Sequence, residues 1–409
     1  MQEGTISTMQ YVKNGSIITP QGFQAAGLHS GVKRKRNDLG IIYSENPANA
    51  AAVYTLNQVR AIPLEVTRES IAREEKLQSV IVNSGNANAC TGDQGKQAAL
   101  EMQQKTAAKL GIPKHTVGVA STGVIGEPMP TDKIIPAIDA LKTENTDKAA
   151  ADFGEAILTT DTFSKNSCYQ TRINNQLVTM GGSAKGSGMI EPNMGTMLAF
   201  LTTDAVISSA HLQKALNEVV DDTFNCITVD GDTSTNDMVL LMANEQAGNT
   251  ALTPAHPEWD TFVDLLRHIA TDLAKQIARD GEGATKLIEV EVTGAENDTA
   301  AKQVAKTIVG SSLVKSAIFG SDANWGRIIC AIGYSGEEIN PDQIDMQIGP
   351  ISLLQKSTPV TFSEREAKAY LEKDTIQIYA DLHVGNGSGK AWGCDLTYDY
   401  VSINANYRS

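Results

Sequence analysis

From about Glu258 to Arg279, the residues Trp259, Phe262, Leu266, Ile269, Leu273 and Ile277 fall on one stripe at helical spacing, and Gly281 stops the run. Directly behind it, Ile288, Val290 and Val292 alternate with Glu289 and Glu291, the period of a half-buried strand. A long amphipathic helix that hands the chain to a strand with one wet face demands helices layered on sheet. The same handover recurs upstream. Val80-Ile81-Val82 reads as a short strand stopped by the turn cluster Asn83-Ser84-Gly85-Asn86. Asp93 then offers an N-cap for a helix through Ala99, Met102, Thr106 and Leu110, closed by Gly111 and Pro113. Further helices are predicted from Thr131, with Ile134, Ile138 and Leu141 on one face, and over 211–220. Toward the C-terminus, Ile376 and Tyr379–Val384 read as strand, Gly385–Gly389 as loop and Leu396–Ile403 as a last strand. The fold class is α/β (α+β).

Charge narrows the partners. The chain carries 34 basic and 48 acidic residues, a net charge of −14, which repels phosphate backbones and anionic lipid. No nucleic acid and no membrane partner is expected. The apolar run Met238–Ala243 is far short of a bilayer span. No basic region followed by an apolar segment opens the chain, so a cytoplasmic location is expected. The basic cluster Lys33-Arg34-Lys35-Arg36 reads as a solvated loop in preference to a localisation signal or polyanion patch. Five cysteines lie far apart without a CxxC pair, and six scattered histidines form no HExxH, so reduced thiols and no metal are expected.

The chemistry then falls to other residue types. Glycines cluster at 181–188, 281–283 and 385–393, where the chain is predicted to leave regular structure. The first cluster surrounds Lys185 but lacks the P-loop spacing, which leaves a Gly-rich loop entering a buried strand with Thr196 at its mouth. Gly195-Thr196 suits self-cleavage: the hydroxyl attacks the preceding carbonyl, the amide becomes an ester, and hydrolysis frees Thr196 as a new N-terminus. The α-amine so released, with a reference pKa of about 7.7–8.0, can serve as base for its own hydroxyl. Ser121-Thr122-Gly123-Val124-Ile125-Gly126 either presents a hydroxyl and N–H groups to an oxyanion or is an ordinary strand-to-loop turn. Asp230–Asp237 begins like a calcium loop, but Thr235 and Leu241 stand where it needs Gly and Glu, which excludes an EF-hand. Glu282 sits at a helix C-terminus, where an acid is disfavoured, so it is either held for a ligand or simply part of an exposed turn.

Taken together, these segments resemble the ornithine acetyltransferases of arginine biosynthesis, including their bifunctional members. The resemblance is carried by Asn83–Gly92, Ser121–Gly126, Thr159-Thr160-Asp161-Thr162, Lys185–Leu198, Asp230–Asp237, Asp280–Lys286 and Ser321–Arg327, and covers essentially the whole chain. It implies a layered sheet-and-helix sandwich of the self-cleaving, N-terminal-nucleophile-like type, cut between Gly195 and Thr196 into an alpha chain, 1–195, and a beta chain, 196–409. It implies that Thr196 is the nucleophile, that Thr122 and Gly123 form the oxyanion pair, and that Thr159, Lys185, Thr196, Glu282, Asn404 and Ser409 touch substrate. The implied reaction passes acetyl from N-acetylornithine to glutamate by a ping-pong route without a cofactor. Acetyl-CoA as a second donor is left undecided, and two alpha and two beta chains are expected to assemble. A self-cleaving aminopeptidase or amidase of related architecture is the alternative. Two departures stand out: Gly195 replaces the usual Ala before the nucleophile, and Ser409 replaces a terminal Thr.

Overall fold

Strand β3 (Leu39–Tyr54) is long enough to pair with three neighbours along its length. The computed structural model describes residues 9–191 and 197–406. In these, β3 joins a nine-stranded sheet with β1 (Gln10–Tyr11), β2 (Phe23–Leu28), β4 (Lys76–Asn86), β5 (Val117–Val124), β6 (Lys165–Ile173), β7 (Gln176–Lys185), β8 (Leu198–Thr203) and β9 (Met238–Ala243). Their order is β1-β6-β7-β8-β9-β3-β4-β5, with β2 also on β3. The first part of β3, Leu39–Tyr43, pairs antiparallel with β4, and Asn49–Tyr54 pairs antiparallel with β9; the β3–β4 register shifts between Tyr43 and Ala48. Val80, Val82 and Ala120 from β4 and β5 therefore share one buried apolar cluster with Leu198, Phe200, Leu240 and Met242 from β8 and β9. Four helices, α1 (Ile62–Glu74), α2 (Gly92–Leu110), α3 (Thr131–Ala140) and α4 (Asp147–Ala156), precede β6. β4 and β5 run parallel, and α2 supplies the crossover such a pair needs. Helices α5 (Ser209–Asp222) and α6 (Trp259–Arg279) follow β8 and β9, and α6 lies where the apolar stripe predicts it.

A second sheet has six strands: β10 (Leu287–Ala295), β11 (Asp345–Ile348), β12 (Ile351–Gln355), β13 (Thr358–Pro359), β14 (Thr375–Asp381) and β15 (Gly387–Cys394), in the order β13-β12-β11-β14-β10-β15. Ile288, Val290 and Val292 of β10 pack with Val304, Ala305 and Ile308 of α7 (Asp298–Gly310) and Ile328 and Ile332 of α9 (Trp325–Gly333). Helices α8 (Ser312–Phe319), α10 (Glu364–Leu371) and α11 (Tyr398–Ala405) complete the described elements. By packing, the chain forms two compact units: Met1–Gly186, Asn193–Asp221 and Thr233–Leu273 in one, Ser187–Pro192, Asp222–Asp232 and Ala274–Ser409 in the other. Each draws residues from both sides of Gly195, so the units are not the two products expected of a cut there. No described helix is long and apolar enough to cross a membrane.

Four expectations need correction. Gly181–Lys185 is not loop but the end of β7. A Cβ on Gly181 would stand 2.0 Å from the Ser16 carbonyl oxygen, so that glycine lets another backbone approach a strand. Gly387–Cys394 is likewise strand, paired with β10. The turn cluster Asn83–Asn86 continues β4 and pairs with β5. Leu396–Ile403 contains most of a helix, not a strand: Thr397 caps α11 by accepting the Asp399 N–H. Tyr398 and Val401 are 85% and 66% exposed, so these apolar residues record no buried face.

Candidate active site

In the first unit, Thr122 and Gly123 lie near the end of β5, beside the end of β4. Thr122 is buried. Gly123 has φ +133°, and a Cβ there would meet the Gly85 carbonyl carbon at 2.3 Å and the Asn86 nitrogen at 2.5 Å. Only glycine fits so close a backbone approach. The asparagine-rich motif upstream is the framework of this turn. Asn83 Nδ2 donates to the Asn86 carbonyl (2.9 Å), Ser121 Oγ donates to Asn83 Oδ1 (2.5 Å), and Asn86 Nδ2 reaches the Glu127 and Pro128 carbonyls (both 3.1 Å). Asn236, just before β9, donates from Nδ2 to the Ala87 (2.6 Å) and Ser121 (2.7 Å) carbonyls and so fixes the residue before Thr122.

Lys185 ends β7 opposite Leu198, and Leu198 lies opposite Met238 of β9. The Asp161 carboxylate gathers the groups next to it: it accepts the Thr159 N–H (2.9 Å), the Gly186 N–H (2.7 Å) and the Lys165 ammonium (2.7 Å). Both side chains of the Asp161–Lys165 pair are fully buried. Burial pushes the Asp161 carboxyl up, but the Lys165 and Lys185 ammoniums and the hydrogen bonds outweigh it and hold the group at about 2. Asp161 thereby ties the Thr159 segment to the end of β7.

Asp237 directly precedes Met238, whose N–H donates to the Met197 carbonyl (3.0 Å). The Asp237 Oδ2 is buried and has no hydrogen-bond partner among the described residues. Burial drives this carboxyl well above the usual range, against the opposing pull of Lys185. Gly195 and Thr196, the expected scissile pair, lie outside the described residues, as does Ser409.

In the second unit, Glu282 follows the end of α6. Its N–H donates to the Ser187 carbonyl (3.0 Å), and its Oε2 accepts from Asn404 Nδ2 (2.7 Å). The carboxylate lies over Gly188, where a Cβ would come within 2.3 Å of it. Asp230 accepts the Met189 and Ile190 N–H groups (2.6 and 2.7 Å) and the Tyr400 hydroxyl (3.2 Å). Two of the expected substrate residues, Glu282 and Asn404, are thus brought together directly. Asp161, Asn236 and Asp237 carry no local signal of a role in sequence: Asp161 lies in Thr159-Thr160-Asp161-Thr162, and the other two end the acidic run Asp230–Asp237. Among the described residues, no group of three or more His, Cys, Asp or Glu side chains is placed to hold a metal ion.

Hydroxyls, backbone amides and buried carboxyl–ammonium groups at strand ends define an α/β protein with a strand-end site. The ArgJ family model matches residues 24–409, and the chain belongs to that family. It is 62% identical over 399 residues, 97% of both chains, to the arginine biosynthesis bifunctional protein ArgJ of Halalkalibacterium halodurans. Identity is 60%, with the same coverage, to the protein of that description from Geobacillus kaustophilus. A crystal structure of arginine biosynthesis bifunctional protein argJ from Bacillus halodurans is similar with a TM-score of 0.51 and 66% identity, covering 52% of this chain and all of that one.

Proposed function

We propose that the chain transfers acetyl from N-acetylornithine to glutamate, through an acetyl ester on Thr196 formed after self-cleavage between Gly195 and Thr196. The observation that carries this reading is the 62% identity, across nearly the whole of both chains, to a relative described as the arginine biosynthesis bifunctional protein. The word bifunctional in that description supports a second activity as well, and acetyl-CoA as a second donor is our proposal for it.

The steps follow from the residues. Thr196 Oγ attacks the acetyl carbonyl while its proton passes to the freed α-amine, and the tetrahedral oxyanion is received by the Thr122 hydroxyl and the Gly123 N–H. Ornithine leaves as the amine, taking that proton. The glutamate amine then attacks the ester, and N-acetylglutamate departs with Thr196 restored. Lys185 assists the oxyanion or a substrate carboxylate, Glu282 pairs with a substrate amine, and Thr159, Asn404 and Ser409 complete the binding set. Active enzyme assembles from two alpha and two beta chains.

Intact-mass spectrometry of the freshly purified protein tests the central step. Two species that together equal the full chain plus one water, one beginning at Thr196, are the expected result; a single 43.6 kDa species would overturn it. Transfer to glutamate must also exceed hydrolysis, since the reverse would identify an amidase. Removing one oxyanion donor by Thr122→Ala is expected to lower kcat about 100-fold, roughly 3 kcal/mol of barrier, with substrate binding retained. Steady-state kinetics on the cleaved variant checks it.

A further inference from the structure

The basic cluster Lys33–Arg36 is not simply solvated. Lys33 is half-buried and Arg34, Lys35 and Arg36 are exposed, yet the two outer cations reach carbonyls on a distant segment. Lys33 Nζ donates to the Leu158 carbonyl (2.9 Å), and Arg36 Nη1 donates to the Asp161 carbonyl (2.9 Å). These two carbonyls bracket Thr159-Thr160. The loop that delivers the cations is itself fixed. The buried Asp38 carboxylate accepts the Lys33 N–H (2.9 Å), the Ser30 N–H (2.6 Å) and the Ser30 hydroxyl (2.7 Å). The Asn37 N–H also donates to Glu155 of α4 (3.3 Å).

We propose that Lys33 and Arg36 are positioning residues that hold the Thr159 segment in its substrate-binding geometry. The inference rests on Thr159 touching substrate, as the proposed function has it. Three independent anchors converge on four residues: the Lys33 ammonium on one flank, the Arg36 guanidinium on the other, and the Asp161 carboxylate on the Thr159 N–H. Charge-assisted bonds to backbone oxygens are stronger and more directional than neutral ones, so they suit a segment whose carbonyl and hydroxyl directions must be set. Neither cation is placed here on the reacting atoms; their effect passes through the segment they hold.

Lys33 also gives the device a measurable signature. Burial lowers its pKa to about 8, against Asp38, Glu155 and Asp161, which raise it, while Arg36 lowers it further. His29 faces the same Asp38 carboxylate at 3.2 Å. The Lys33 ammonium is therefore lost between pH 7 and 9, and an arginine in its place stays charged throughout.

The test compares wild type, Lys33→Met and Lys33→Arg as cleaved enzymes, by Tm and by transfer kinetics with N-acetylornithine and glutamate. Lys33→Met is expected to raise KM about tenfold with kcat within about twofold, as expected for a lost charge-assisted bond that acts on binding alone. Lys33→Arg is expected to keep the neutral-pH KM. The ratio of wild-type to Lys33→Arg KM should climb from pH 7 to 9, a comparison in which titration of the substrates cancels. An unmoved KM in folded Lys33→Met overturns the proposal and leaves the acetyltransferase reading standing. Should Lys33→Met fail to fold, a pH-independent ratio between wild type and Lys33→Arg overturns it instead. Wild-type enzyme without transfer activity would remove the functional reading itself, and this inference with it.

Discussion

Replacing Thr196 with Ala is expected to leave one uncut 43.6 kDa chain with no detectable acetyl transfer. The two losses have one cause under the proposed mechanism, because the same hydroxyl attacks the Gly195 carbonyl during maturation and the acetyl carbonyl during turnover. Alanine keeps the Cβ and removes only the attacking oxygen, so a stable, uncut protein is the expected product. Thr196→Ser restores an oxygen and should recover part of each reaction. Electrophoresis reports the cut, and release of ornithine in the presence of glutamate reports the transfer. Full transferase activity in purified Thr196→Ala would refute the acetyl-Thr intermediate.

The largest loss of stability is expected from Asp161→Asn. The substitution leaves the fully buried Lys165 ammonium without its carboxylate, and breaking a buried pair from one side costs about 3–5 kcal/mol. Lys165→Met added to Asp161→Asn should recover part of that loss, because the Lys165 charge goes with its partner while the buried Lys185 ammonium still faces the lost carboxylate. The wild type carries the same information in its acid limb. Asp161 titrates at about 2 when folded, below the unfolded value of about 3.9. Its contribution, roughly 2 kcal/mol, is therefore present above the unfolded pKa and lost as pH falls through the folded one. Urea unfolding of wild type and both variants between pH 2 and 7 measures the difference. A wild-type curve no steeper than that of the double variant below pH 4 would show that the carboxylate contributes no such stability.

Much of the fold was legible wherever periodicity reflects burial on one face. Helix α6 and strand β10 have their apolar stripes turned into cores, so spacing alone located them. The reading failed where residue type answers to something other than periodic burial. Gly181 is small because the Ser16 carbonyl presses on it, and the Tyr398–Ala405 helix presents aromatic residues outward. At the site, Thr122 and Gly123 were legible as a hydroxyl beside a pliable backbone, while their assignment to an oxyanion came through resemblance. Asp161 and Asn236 could not be found locally: Asp161 meets Gly186 25 positions later, and Asn236 anchors carbonyls 149 and 115 positions earlier. Such long-range polar pairing leaves no period in a sequence. The Lys33–Arg36 cluster is the same failure in reverse, since charge density read as solvation conceals two long-range bonds to backbone.

Strand order carries a consequence for the life history of the protein. β8 and β9 lie side by side, with β7 against one and β3 against the other. A break before Thr196 assigns β7 and β3 to one fragment and β8 and β9 to the other. The fragments would then be interleaved like the fingers of two clasped hands, joined by an antiparallel ladder on either side. Parting them would require melting the sheet. Maturation would thus turn one polypeptide into an inseparable couple, and genes encoding the halves separately would have to solve a folding problem that the continuous chain solves before it is ever cut.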